Sequence, residues 1–131
     1  MAKTYIYPEL SKIIIDAYFE VCRHLSVGYE EKVYERALAY ELALRGLDVE
    51  TQKLLTVTYK GVEVGMYKPD IVVNNCIILE LKAVKTIAEE HKAQLINYLT
   101  VTQYWLGYVL NFGQDRRFMR FVGPAAMLQS E

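Results

Sequence analysis

Residues 76–84 read Cys-Ile-Ile-Leu-Glu-Leu-Lys-Ala-Val, an apolar run broken by two opposite charges at alternate positions. Its length and composition suit a buried strand, and along a strand the side chains at i and i+2 leave on one face. Glu80 and Lys82 therefore point the same way, in line with Ile78, while Ile77, Leu79 and Leu81 point the other way. Taking two charges out of water costs several kcal/mol unless a partner, a cation or a solvated cleft offsets it. That cost marks the strand as a place to look for chemistry. Nine residues separate Pro69-Asp70 from Glu80, so a second carboxylate can be brought beside the first.

The rest of the chain supplies the frame. Leu10, Ile13, Ile14, Ala17, Tyr18, Val21, Cys22 and Leu25 recur at helical spacing, which predicts a helix from Pro8 to Ser26 with proline in its first turn. A second helix is predicted from about Glu30 to Arg45, with Val33, Tyr34, Ala37, Leu38 and Leu42 inward and Gly46 as its stop. Val49–Val57 then reads as a strand, Lys60-Gly61 as a turn, Val62–Met66 as a short strand, and Ile71–Val73 with Cys76–Val84 as a hairpin through Asn74-Asn75. A third helix is predicted from about Ile87 to Thr102, capped by Thr86, followed by strands at Tyr104–Phe112 and Arg117–Val122. The order α-α-β-β-β-β-α-β-β implies a mixed central sheet flanked by helices, an α/β or α+β fold. The chain, 1–131, is expected to be a single domain large enough to bury a core of its own.

Composition narrows the function classes. Fifteen basic against sixteen acidic residues give a net charge of −1, so any polyanion site must be local rather than a bulk electrostatic coat. Arg116, Arg117 and Arg120 form the best local cluster, though arginines around Phe118 and Phe121 more often mark the solvated face of an edge strand. Cys22 and Cys76 lack paired spacing and read as buried, reduced thiols. Met1–Tyr5 carries no apolar signal core and no stretch is long enough to cross a bilayer, so no membrane role and a cytoplasmic location are expected. His24, near the end of the first helix, suits the helix dipole there.

Four elements share one chemical theme. Gly28-x-x-Glu31-x-x-Tyr34 places Glu31 and Tyr34 on one helix face. Asp70 follows a proline that marks the start of its strand. Glu80-Leu81-Lys82 comes third. Gln94-x-x-x-Tyr98 sets an amide beside a phenol on the third helix, with His91 three residues earlier as a candidate phosphate contact.

In this order the four elements resemble the PD-(D/E)XK nuclease superfamily, and within it the small proteins named for their GxxExxY motif. The likeness runs from the first helix through Phe112. It implies a restriction-endonuclease-like core and a metal-dependent nuclease, with DNA as the expected substrate. Asp70 and Glu80 would ligate Mg²⁺ or Mn²⁺ with Glu31 helping, Lys82 would orient or activate water, and Gln94 and Tyr98 would line the cleft together with Tyr34. The residues themselves agree with that chemistry, because hard cations prefer carboxylate oxygens and a carbonyl such as that of Leu81 often completes the shell. The alternative is a catalytically silent nucleic-acid-binding or protein-interaction module on the same fold. A homodimer or a partner protein is expected to extend the substrate surface, and the tyrosine-rich strand Tyr104–Phe112 is a candidate interface.

One geometrical demand follows. A two-residue Asn74-Asn75 turn pairs Val73 with Cys76 and Asp70 with Leu79, which puts Asp70 on the face away from Glu80. A shared site requires a three-residue loop or a bulge near Asn74–Cys76.

Overall fold

The computed structural model describes residues 6–129, with side chains to Ala126, so Met1–Tyr5 lies outside the described residues. Two helices open the chain, α1 (Pro8–His24) and α2 (Glu31–Leu44). Five strands follow: β1 (Val49–Glu50), β2 (Leu55–Tyr59), β3 (Val62–Tyr67), β4 (Ile71–Val73) and β5 (Ile77–Lys82). Helix α3 (Glu89–Thr102) then crosses to β6 (Leu106–Asn111), β7 (Phe118–Val122) and a short α4 (Pro124–Gln129). No helix among the described residues is long and apolar enough to cross a membrane.

The main sheet has the order β1-β4-β5-β6-β7, with β5 and β6 parallel and every other pair antiparallel. This is the mixed sheet that the element order implies, in an α+β architecture. The parallel pair needs a crossover, and α3 provides it. Strand β6 is buried along its whole length, so the stretch expected as an interface is core, and β5 is buried except at Glu80 and Lys82.

Helices α1 and α2 cover one face. Ile14, Tyr18, Leu38 and Leu42 meet Ile71, Val73, Ile77, Leu79 and Leu81 there in the larger core. Tyr67, Ile78, Leu95, Leu99 and Val109 form the smaller core on the opposite face, under α3. Gly107 lets α3 come close, since a Cβ there would stand 3.0 Å from Leu95 Cδ1.

Three boundaries depart from the sequence reading. The strand expected over Val49–Val57 breaks in two: β1 adds to the edge of β4, whereas β2 leaves to pair with β3 in a separate two-stranded ribbon. The polar residues between them account for the break, as Gln52 accepts from Lys68 Nζ at 3.2 Å and Lys53 approaches Glu50 at 3.7 Å. Helix α3 begins at Glu89, with Ala88 as its N-cap, rather than after Thr86, because His91 Nδ1 accepts the Ala88 N–H at 3.1 Å and closes the first turn. Helix α4 has no counterpart in the expected order. Val33 is 39% exposed instead of inward, and both cysteines are free and half-buried rather than fully buried.

The arginine cluster is mostly structural. Arg116 donates to the carbonyls of Cys22 at 2.8 Å and Phe112 at 3.0 Å, and Arg120 to that of Ile6 at 3.1 Å. Arg117 pairs with Asp115 at 3.0 Å. Arg116 thus ties the β6–β7 loop to α1 and Arg120 ties β7 to Ile6, while Arg117 stays beside Asp115 in its own loop.

Candidate active site

The β4–β5 hairpin has the odd loop that a shared site demands. Val73 pairs with Ile77, Val72 with Ile78 and Ile71 with Leu79, so the next pair in register is Asp70 with Glu80. Asn74 and Asn75 take positive φ of 51° and 55°, and the Cys76 N–H closes the turn on the Val73 carbonyl at 3.0 Å. Asparagine tolerates this left-handed geometry better than most residues. The result is a three-residue loop that leaves Asp70 and Glu80 on one face.

Glu80 is half-buried on the α3 face of β5. The Tyr67 hydroxyl, at the end of β3, donates to Glu80 Oε2, and the Tyr67 ring stacks on Tyr98 of α3 with centroids 3.5 Å apart and planes within 3°. Burial pushes the Glu80 carboxyl up to about 8, and the negative charge of Asp70 adds to the rise, while the Tyr67 hydrogen bond and the Lys82 charge pull it back. Tyr67 is itself held well above the ordinary phenol range, first by burial and then by Glu80, so it stays a proton donor. Two acids that face each other, one driven toward its neutral form by burial and then by the charge of the other, make a site where a cation is favoured.

The edge of β5 orders the other carboxylates. The Lys82 carbonyl accepts from Phe112 N–H at 2.8 Å on the β6 side, so the backbone groups of Leu81 face the opposite edge. There Asp70 Oδ2 accepts the Leu81 N–H at 2.7 Å. Two residues on, Glu31 Oε2 accepts the Ala83 N–H at 3.3 Å. Asp70 and Glu31 thus cap successive outward amides of one strand, about 7 Å apart along it. Glu31 does not join Asp70 and Glu80 directly: among the described residues no three acidic, histidine or cysteine side chains cluster tightly enough to hold an ion. The structure brings together two of the three expected carboxylates, with the third one pleat away.

Lys82 leaves β5 on the same face as Glu80 and is half-buried, and among the described residues its Nζ has no carboxylate within 4.0 Å. The chain beyond it is pinned by Asn111, its partner on β6. Asn111 is fully buried, accepts the N–H groups of Val84 and Gly113 at 3.1 and 3.0 Å, and donates to the carbonyls of Val84 and Asp115 at 3.0 and 2.8 Å. Gly113 is needed at this crossing, because a Cβ would overlap the Val84 carbonyl.

Helix α3 forms the outer wall. Gln94 and Tyr98 line a groove of about 410 Å³ with Val57, Ala93, Asn97 and Val101. Tyr98 reaches the carboxylates through its stack on Tyr67, whereas Gln94 is exposed. His91 commits Nδ1 to the helix start, which removes that atom from phosphate contact. Tyr34 departs from its expected place: it is 1% exposed, stacks on Phe112 at 4.9 Å, and its hydroxyl donates to the Ser26 carbonyl at 2.6 Å. It braces the α1–α2 loop from inside the core and does not line the cleft.

A family model for the PD-(D/E)XK nuclease superfamily matches residues 8–121, most of the chain. The chain belongs to that superfamily. No curated protein and no solved structure matches it. In PD-(D/E)XK terms, Pro69-Asp70 and Glu80-x-Lys82 supply the pattern, and the hairpin register gives it geometry. The superfamily suggests a nuclease, a class that generally uses divalent metal ions and acts on nucleic acid. The donors fit such an ion: hard carboxylate oxygens of Asp70 and Glu80 on one face, with the Leu81 backbone turned to the same edge.

Sequence reasoning missed Tyr67 and Asn111. Strand alternation could have found the first, since Gly65 and Tyr67 share a face and only the tyrosine can reach across to Glu80. Asn111 has no local signal, because its four hydrogen bonds reach three residues in two separate loops.

Proposed function

We propose that this PD-(D/E)XK protein is a metal-dependent nuclease of the GxxExxY branch that hydrolyses phosphodiester bonds in DNA. The observation that carries the reading is the meeting of Asp70 and Glu80 across a three-residue hairpin, with Lys82 on the same face. Asp70 and Glu80 would hold Mg²⁺ or Mn²⁺, the Leu81 carbonyl would add a neutral oxygen, and Glu31 would contribute negative charge from the adjacent pleat. Such an ion supplies charge neutralisation at a phosphoryl oxygen and lowers the pKa of water beside it. Lys82 holds an ammonium where negative charge builds on the phosphate and orients the attacking water. Tyr67 fixes the Glu80 carboxylate from above, Tyr98 backs Tyr67, and Gln94 meets the substrate backbone at the groove. His91 retains Nε2 for a phosphate contact.

Gly28, Glu31 and Tyr34 support the GxxExxY assignment through one shared task, the placement of Glu31 on β5. A homodimer or partner protein completes the substrate surface, consistent with the exposed stripe of Val62, Val64 and Met66 on β3, each more than half exposed. The second reading, a binding module without turnover, is favoured by one observation: Glu31 rests on the Ala83 amide and not with the other two carboxylates.

Incubation with linear, circular and single-stranded DNA plus Mg²⁺ or Mn²⁺ separates the two readings. Cleavage by the wild type that disappears in Asp70→Asn and Lys82→Ala supports the nuclease. Salt-dependent binding without cleavage under either metal supports the binding module.

A further inference from the structure

The loops beyond the C-terminal ends of β5 and β6 enclose a second concavity that the reaction above does not use. It has a volume of about 300 Å³ and is lined by Gly28, Tyr29, Ala83, Lys85, Gly113 and Gln114, among others. All three of its walls are braced. Tyr34 takes the Tyr29 N–H at 3.2 Å while donating to Ser26, and Gly28 turns the chain with φ of 124°. Asn111 holds Val84 by both backbone groups, and the Asp115 N–H donates to the Lys85 carbonyl at 2.9 Å.

Ala83 joins this cavity to the carboxylate site. Its side lines the cavity while its N–H carries Glu31, and two residues back the Leu81 N–H carries Asp70. The cavity and the carboxylate pair are therefore neighbours along one strand edge.

The chemistry of the lining points to a ligand class. Lys85 is exposed, and among the described residues its Nζ has no carboxylate within 4.0 Å; the nearby Asp115 carboxylate is engaged by Arg117 at 3.0 Å. The N–H groups of Gly28, Lys85 and Gln114 have no acceptor among the described residues. Tyr29 leaves 48% of its surface in water and is supported edge-to-face by Tyr34 at 5.9 Å. A free ammonium and several unused amide donors suit a phosphate, and a supported, exposed ring suits a base.

We propose that this cavity is a nucleotide subsite: Lys85 and the loop amides take a backbone phosphate next to the scissile one, and Tyr29 stacks on the attached base. The proposal rests on the nuclease reading for its substrate class. It also gives the Gly28 turn and Tyr34 a common purpose, because together they present Tyr29.

Fluorescently labelled single-stranded and duplex oligonucleotides, titrated with the full chain in Ca²⁺ by anisotropy, test it. Lys85→Gln is expected to weaken binding and to lower the salt slope by about one, and Lys85→Arg to restore both. Tyr29→Leu is expected to weaken binding at least about fivefold with the salt slope unchanged. Wild-type affinity and slope in Lys85→Gln and Tyr29→Leu, or no binding by the wild type, would overturn the subsite. Cleavage assays in Mg²⁺ on the same proteins keep the two ideas apart. Cleavage with unchanged binding in the variants sinks the subsite alone, whereas Lys85-dependent binding without cleavage sinks the nuclease reading and keeps the subsite.

Discussion

The two faces of β5 divide its six residues, three to each, between opposite uses. Toward α1 and α2, Ile77, Leu79 and Leu81 are at most 1% exposed and meet a broad layer of aliphatic and aromatic side chains. Toward α3, Ile78 alone is fully buried, and the face then opens through Glu80 to Lys82 as the strand leaves the core. One face is dry and secures the strand; the other, held by the first, carries charges that no ordinary core would keep. The lesson is that the costly face is maintained by the cheap one, so damage to each should read out differently.

The largest separation comes from the charged face. Glu80→Gln is expected to lower metal-dependent cleavage on the order of a thousandfold, with the thermal midpoint unchanged or raised, since a buried acid beside another acid is removed. A matched loss of activity and stability would break the comparison. On the dry face, Leu79→Ala is expected to cost about 3 kcal/mol in urea unfolding, while the folded fraction still binds Mn²⁺. Loss of metal binding by that folded fraction would show that the faces are not separable.

A smaller effect follows from ionisation of Glu80. Its carboxyl lies near 8 in the folded chain against an ordinary value of 4.5, so the folded state favours the protonated form. The associated stability is fully present below about pH 4.5 and is lost as pH rises through about 8. In EDTA, the difference in unfolding free energy between wild type and Glu80→Gln should therefore shift against the wild type from pH 5 to pH 9. A constant difference would mean that Glu80 is not desolvated as described. Smallest of all, Tyr67→Phe keeps the ring stack on Tyr98 and removes only the hydrogen bond, so roughly a tenfold fall in kcat with little change in KM is expected. An unaltered kcat would remove Tyr67 from the positioning of Glu80.

Much of this was legible because it is local. Alternation along 76–84 gave the two faces of β5, and counting residues between Asp70 and Glu80 required the odd loop that Asn74, Asn75 and Cys76 form. Helix spacing gave α1 and α2 within two residues. What stayed hidden depends on contacts between distant segments. The split of Val49–Val57 is decided by which partner each half finds, β4 for one and β3 for the other. Tyr34 looked like a cleft residue from its spacing with Glu31, yet a helix face says nothing about which neighbour it meets, and here that neighbour is Phe112. Likewise Glu31 is on the right helix and still stands one pleat from the pair it was expected to complete.

The central claim is that Asp70 and Glu80, facing each other on one side of β5, form a cation site. Calorimetric titration of the purified chain with Mn²⁺ at neutral pH tests it most directly, with Asp70→Asn and Glu80→Gln run beside the wild type. The account predicts saturable binding by the wild type that is lost in both variants while their folds persist. Wild-type binding retained in either variant, or no binding by a folded wild type, would contradict it.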